Sequence, residues 1–149
     1  MSIQPKLLED MKLAMKSGDK IRLETIRGLR SQLKNTEIDK GETLSLEDEI
    51  QVLMSAAKRR KESIEQFKAG QRFDRAEEEE QELNIIQEYL PQQMTEEEIV
   101  SLVNTVITDV SATSLADIGK VMGKLMPQVK GRADGKIVQK IVQQKLATL

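Results

Sequence analysis

The sequence has no cysteine, no histidine and no tryptophan, and its aromatic side chains are one tyrosine and two phenylalanines. Each absence removes a class of chemistry. Without cysteine there is no disulfide, no thiolate metal site and no cysteine nucleophile. Without histidine there is no Ser-His-Asp triad and no imidazole-ligated zinc or iron. With so few aromatics, stacking of bases on aromatic platforms has almost nothing to work with. No apolar run approaches the roughly 20 residues of a membrane span. The start, Met1-Ser2-Ile3-Gln4-Pro5-Lys6, lacks the apolar stretch of a signal peptide. The expectation is a cytoplasmic protein that contacts no membrane and carries no metal, no cofactor and no catalytic residue of its own.

What the chain does contain is charge and helical periodicity. Charged residues make up 32% and hydrophobic residues 38% of 149 positions, which fits one soluble domain or two small ones. Apolar residues recur at helical spacing almost throughout and no stretch alternates with period two, so the fold class is all-α. The spacing predicts seven helices. The first runs from about Pro5 to Lys16, with Leu8, Met11 and Met15 on one stripe and Pro5 suited to a first helical position. Gly18 ends it. Asp19 caps a second helix to about Asp39, with Ile26, Leu29 and Leu33 inward, and Gly41 closes that one. Ser45-Leu46-Glu47-Asp48 resembles a capping box and opens a third helix to about Ala69. Gly70 breaks it, and a fourth follows to Tyr89-Leu90.

Pro91 marks the boundary between two domains, because the residue before a proline avoids helical geometry. Residues 1–91 read as long, charged helical hairpins and residues 92–149 as a compact three-helix unit richer in Val and Ile. In the second, Thr95-Glu96-Glu97-Glu98 reads as a full capping box opening a helix through Val110. Ser114 with Asp117 caps the next, from Leu115 to about Met126, which Pro127 stops. Asp134 caps the last. The predicted core of this unit is Ile99, Val103, Val106, Ile118, Met122, Leu125, Ile137, Ile141 and Val142.

Positive charge is unevenly placed. From Leu115 to Leu149 there are seven Lys/Arg against Asp117 and Asp134, an excess of five in a chain of net charge -2. Such an excess fits an anionic partner, or a solvated helix surface that uses lysine. Gly119-Lys120-Val121-Met122-Gly123-Lys124 is one residue short of a phosphate loop and lacks the following Ser or Thr. Gly119 and Gly123 share a helix face and read as a packing contact for another helix. Three Ser-x-x-Lys pairs have no companion motifs and carry no catalysis. Four consecutive acids, Glu77 to Glu80, spread around a helix and cannot converge on a metal. Lys58-Arg59-Arg60-Lys61 spreads over all sides of the third helix. Arg27, Arg30 and Lys34 form a stripe that can meet phosphates or the acids of the fourth helix, the second being favoured. Lys130-Gly131-Arg132-Ala133-Asp134-Gly135-Lys136 surrounds a helix start with cations. That start either receives an anion or is plainly capped by Asp134.

Four segments together resemble a known family. They are Lys34-Asn35-Thr36-Glu37-Ile38-Asp39-Lys40; Lys58-Arg59-Arg60-Lys61-Glu62-Ser63-Ile64-Glu65-Gln66-Phe67; Glu88-Tyr89-Leu90-Pro91-Gln92-Gln93-Met94; and Asp117-Ile118-Gly119-Lys120-Val121-Met122-Gly123, continuing to Met126-Pro127-Gln128-Val129-Lys130-Gly131-Arg132-Ala133-Asp134-Gly135. Over nearly its whole length the chain resembles the bacterial YqeY family, small proteins similar to the tail of the GatB subunit of the tRNA-dependent amidotransferase. It departs at Gly28, where the family usually has a larger residue, a departure expected to bear on packing of the second helix. The resemblance implies an all-helical fold of two subdomains and an association with tRNA. It also brings the family label of a carbon–nitrogen ligase using glutamine as amido donor, for which this chain has no nucleotide loop and no amidase nucleophile.

Three functions remain open. A tRNA-binding accessory module would use Lys120, Lys124, Lys130, Arg132, Lys136 and Lys140 against phosphates. An adaptor would dock a protein partner through Arg27, Arg30, Arg59 and Arg60. A subunit of a glutamine-dependent ligase would add activity only within a complex. The first is preferred.

Overall fold

The computed structural model of the chain describes residues 2–149, which fold into α-helices with no strand among them. The elements are α1 (Gln4–Ser17), α2 (Lys20–Lys40), α3 (Leu46–Ala69), α4 (Phe73–Gln87), α5 (Glu96–Asp109), a single 3-10 turn (Leu115–Asp117), α6 (Ile118–Val129) and α7 (Gly135–Ala147). They divide into two compact units, one ending at Leu90 and one spanning Pro91–Leu149.

Local chemistry sets most of the ends. Gly18 takes the left-handed conformation that ends α1 (φ 75°), and the Asp19 side chain then accepts the Arg22 N–H at 3.1 Å to start α2. Ser45 and Asp48 close both arms of a capping box at α3. At α5 only one arm forms, with Thr95 Oγ1 accepting the Glu98 N–H at 3.2 Å. Between α3 and α4 the left-handed residue is Gln71 (φ 58°), not the neighbouring Gly70, so a side chain sits where glycine would fit without strain. α4 ends at Gln87, and residues 88–90 leave it as a turn. Pro127 does not stop α6. It lies inside the last turn, and the helix runs on to Val129 because later N–H groups still reach carbonyls before the proline, as Lys130 N does to Met126 O at 3.0 Å.

In the first unit α3 and α4 form a hairpin, and α2 packs against α1, α3 and α4. The core is built on Leu7, Ile26, Leu29, Leu33, Leu53 and Ile86, all essentially inaccessible. The stripe predicted on α1 is one step out of phase. Leu7 and Ala14 are buried, and Met15 is 54% exposed. Gly28 faces solvent, and a Cβ there would meet nothing within 4 Å, so the departure at that position has no bearing on packing.

One buried group holds α1 in place. Ile3, at the N-cap of α1, offers no side-chain cap. The cap comes from α3 instead. Glu49 is fully buried, and its carboxylate accepts from Ser2 Oγ at 2.9 Å and from the N–H groups of Ile3 and Gln4 at 3.2 Å each. A charge at the positive end of a helix, satisfied by its free donors, is a stable arrangement even without water.

In the second unit α5, α6 and α7 each pack against the other two, around Val103, Val106, Val121, Leu125, Val129, Val138 and Val142. Ile118 and Met122 lie at the edge of this core. Ile137 does not join it. Val138, one position on, takes the inward place, and Ile137, turned about 100° away, is 50% exposed.

Candidate nucleic-acid interface

The phase of α6 is fixed by Val121, Leu125 and Val129, which are wholly buried. Lys120, Gly123, Lys124 and Pro127 therefore face solvent on the opposite side. This overturns the packing role expected for Gly119 and Gly123: a Cβ on either meets nothing within 4 Å. Their pairing in sequence marks the bare outer face of the helix, not a helix–helix contact. Lys124 Nζ stands 3.5 Å from Asp109 at the end of α5, and Lys120 Nζ stands 3.9 Å from Asp117. Asp117 also accepts the Thr113 N–H at 2.8 Å, the Ser114 N–H at 3.4 Å and the Thr113 hydroxyl at 3.3 Å. The Thr113 N–H above all, with help from Ser114 and the Lys120 charge, holds the Asp117 carboxyl below the usual range.

The segment between α6 and α7 is built as a clasp. Gly131 takes a positive φ of 80°. Its carbonyl accepts from Gln93 Nε2 at 2.9 Å, and the Arg132 carbonyl accepts the Met94 N–H at 2.9 Å. Arg132 Nε donates to the Gln92 carbonyl at 3.0 Å. Part of the Arg132 guanidinium is thus spent on holding residues 92–94 against this loop. At the start of α7 the Asp134 carboxylate accepts the Lys136 N–H at 2.9 Å, the plain capping alternative. Lys130 is exposed, and Lys136 and Lys140 project from the outer face of α7, opposite Val138 and Val142.

The six cations do not converge on one patch. Lys124 leans toward α5, whereas Met126, two positions and about 200° further around α6, lies beside α7, where a Cβ on Gly135 would stand 3.5 Å from Met126 Cε. Lys120 and Lys124 therefore occupy the α5 flank of α6, and Lys136 and Lys140 the outside of α7.

The four arginines expected at a protein partner are also divided. Arg59 is exposed, and Arg27 pairs with Glu24 on its own helix at 3.3 Å. Arg30 donates to Met11 Sδ at 3.2 Å. Arg60 lies inside the α3–α4 hairpin, 3.0 Å from Glu82 and 3.5 Å from Glu79. The pairing favoured for the α2 stripe is thus overturned. Glu79, Glu80 and Glu82 of α4 face α3, the first and last through Arg60 and Glu80 through Lys68 at 2.9 Å, because the hairpin packs α4 along α3. Burial, then the neighbouring Glu82, pushes the Glu79 carboxyl up. The link from α2 to the end of α4 is Arg22 with Glu88 at 2.6 Å.

Next to it the Tyr89 hydroxyl donates to Asp10, and Lys6 Nζ lies 5.6 Å from the ring centroid. Burial first, and Asp10 second, raise the Tyr89 phenol. Glu49, Arg22, Asp10 and Tyr89 were not singled out as sites from the sequence, and only the Glu88-Tyr89-Leu90-Pro91 segment pointed toward any of them. Among the described residues no group of three or more acids is placed to hold a metal ion, and no helix is long and apolar enough to cross a membrane.

The family model for YqeY, described as Yqey-like protein, matches residues 4–146. Several relatives share the name "Altered inheritance of mitochondria protein 41, mitochondrial". That of Pyrenophora tritici-repentis is 30% identical over 145 residues, covering 95% of this chain and 80% of the relative. That of Lachancea thermotolerans is 40% identical over 114 residues, covering 72% and 59%. That of Kluyveromyces lactis is 34% identical over 124 residues, covering 80% and 66%. The chain thus spans between 59% and 80% of the length of these fungal proteins.

Proposed function

Because the chain belongs to the YqeY family, we propose that it is a tRNA-binding accessory protein whose C-terminal unit grips the sugar-phosphate backbone. The observation that carries this reading is the placement of charge. All seven Lys/Arg of the second unit fall between Lys120 and Lys145, on α6, the clasp and α7, and α5 has none. Four of them, Lys120, Lys124, Lys136 and Lys140, stand on outer helix faces. Cations on two separate flanks fit a ligand that presents phosphates along rows, as a folded RNA does, better than a small anion that needs one converging pocket. Resemblance to the tail of the amidotransferase GatB subunit points the same way. The scarcity of aromatics makes base stacking a minor contribution. No catalytic step is assigned to the chain.

The setting taken is the cytosol, although the fungal relatives are named as mitochondrial proteins. The test is titration of labelled tRNA with the full chain at ~50 mM salt, beside a pull-down from lysate with and without ribonuclease. Saturable tRNA binding and ribonuclease-sensitive capture are expected. A flat titration with a ribonuclease-resistant protein partner would replace this reading with that of an adaptor.

A further inference from the structure

Asp109 closes α5, at the end where exposed carbonyls disfavour a carboxylate, and no basic residue stands in that last turn. Its cation comes from elsewhere. Lys124 of α6 reaches to 3.5 Å, with the two side chains 49% and 47% exposed. Asp117, the acid beside Lys120, is tied to the Thr113 and Ser114 N–H groups and cannot leave without undoing the turn before α6. Asp109 has no such tie; among the described residues its carboxylate accepts no hydrogen bond from the backbone. One flank of α6 thus carries two lysines, one beside a fixed carboxylate and one beside a releasable carboxylate.

We propose that Asp109 is an internal competitor for the anion-binding flank of α6, occupying Lys124 in the free protein and giving it up when a phosphodiester takes its place. This inference rests on the RNA-backbone reading above and adds regulation to it. Binding at Lys124 is an exchange of one anion for another, so it contributes less affinity than a lysine facing water. The exposed pair is individually weak, so a polyanion presenting several phosphates at once displaces the carboxylate readily. The effect is to hold the complex loose and exchangeable.

The experiment compares the full chain with Asp109→Asn, using labelled tRNA and, separately, inorganic polyphosphate at ~50 mM salt. Glu97→Gln is the control. It makes the same charge change near the other end of α5, about 18 Å away along the helix at 1.5 Å per residue. Asp109→Asn should raise affinity about two- to fivefold and steepen the log–log salt slope by up to about one unit. Glu97→Gln should stay within about twofold of the parent, and Lys124→Ala should erase the gain. Equal gains from both acid variants, or no gain from Asp109→Asn while the parent binds, overturn the proposal. A parent that ignores tRNA but binds polyphosphate more tightly after Asp109→Asn overturns the tRNA reading and leaves the competitor standing. No binding of either probe by any variant overturns both.

Discussion

Glu49 is the residue on which the first unit should depend most for its size. Its carboxylate is fully buried, caps α1 from α3, and satisfies Ser2 Oγ and the N–H groups of Ile3 and Gln4. Hydrogen bonds to a charged group contribute about 1.5–3 kcal/mol each, and a carboxylate at a helix N-terminus adds roughly 0.3–1 kcal/mol. The three are not additive, because Ser2 is exposed and the freed donors can regain water. Glu49→Ala should therefore cost about 3–4 kcal/mol, a large share of the roughly 5–10 kcal/mol available to a domain of this size. Glu49→Gln keeps the volume and one acceptor and should cost about 1–2 kcal/mol. Urea unfolding followed by far-UV circular dichroism, with one transition allowed for each unit, reads both values from midpoint shifts at constant slope. The transition of the second unit should not move. A cost below about 0.5 kcal/mol for Glu49→Ala would show that burial of this carboxylate is incidental and that α1 is held by its apolar contacts alone.

Other consequences are equally open to measurement. Gly28→Ala and Gly123→Ala should each stabilise by about 0.5–1 kcal/mol, since both sit in helices with open space beyond the Cα; a loss of stability at either would mean that the outer face is covered. Glu79 has a raised carboxyl, so its ionised form opposes folding above that raised value and the opposition disappears below the ordinary carboxylate range. Glu79→Gln should stabilise at pH 7, with the gain shrinking toward pH ~4. Asp117 is the opposite case: its lowered carboxyl contributes stability at neutral pH that is lost as pH falls through that lowered value. The difference between parent and Asp117→Asn should accordingly shrink as pH falls from the ordinary carboxylate range through that lowered value. A fragment of residues 91–149 should fold cooperatively but marginally by circular dichroism, as domains of about 60 residues do, and a random coil would refute its independence. The full chain with glutamine, ATP and misacylated tRNA should release no ammonia; release would move the ligase reading to first place.

What the sequence made legible was local. Asp19, Ser45 with Asp48, Ser114 with Asp117, and Asp134 cap where their types and spacing say, because a cap is a contact over two or three residues. The inward faces of long helices were legible where one stripe dominates, as with Ile26, Leu29 and Leu33. On α1 two apolar stripes compete, one through Leu7 and one through Leu8. The choice is made by tertiary partners, since Asp10 meets Tyr89 from the far end of the unit. On α7 Ile137 and Val138 are adjacent and equally apolar, and only the arrival of α5 and α6 selects Val138.

Long-range polar contacts were illegible for the same reason. Nothing near Glu49 in sequence marks it as the cap of a helix more than forty positions away. The pairing of Arg60 with Glu82 depends on the register of the α3–α4 hairpin. For the candidate interface, residue types and segment were legible but arrangement was not. Lys124 and Met126 are only two positions apart in sequence and point to opposite flanks of α6.

The central claim is that exposed lysines of the second unit bind RNA by neutralising phosphates, and the salt dependence of tRNA binding tests it most directly. Affinity of the full chain should fall linearly on a log–log plot of binding constant against salt, with similar values for different tRNAs. Lys136→Ala with Lys140→Ala should lower the slope by up to about two units, at roughly 0.7–0.9 per phosphate contact, and weaken all tRNAs alike. Binding that is absent at ~50 mM salt, or indifferent to salt and to these two substitutions, would contradict the claim.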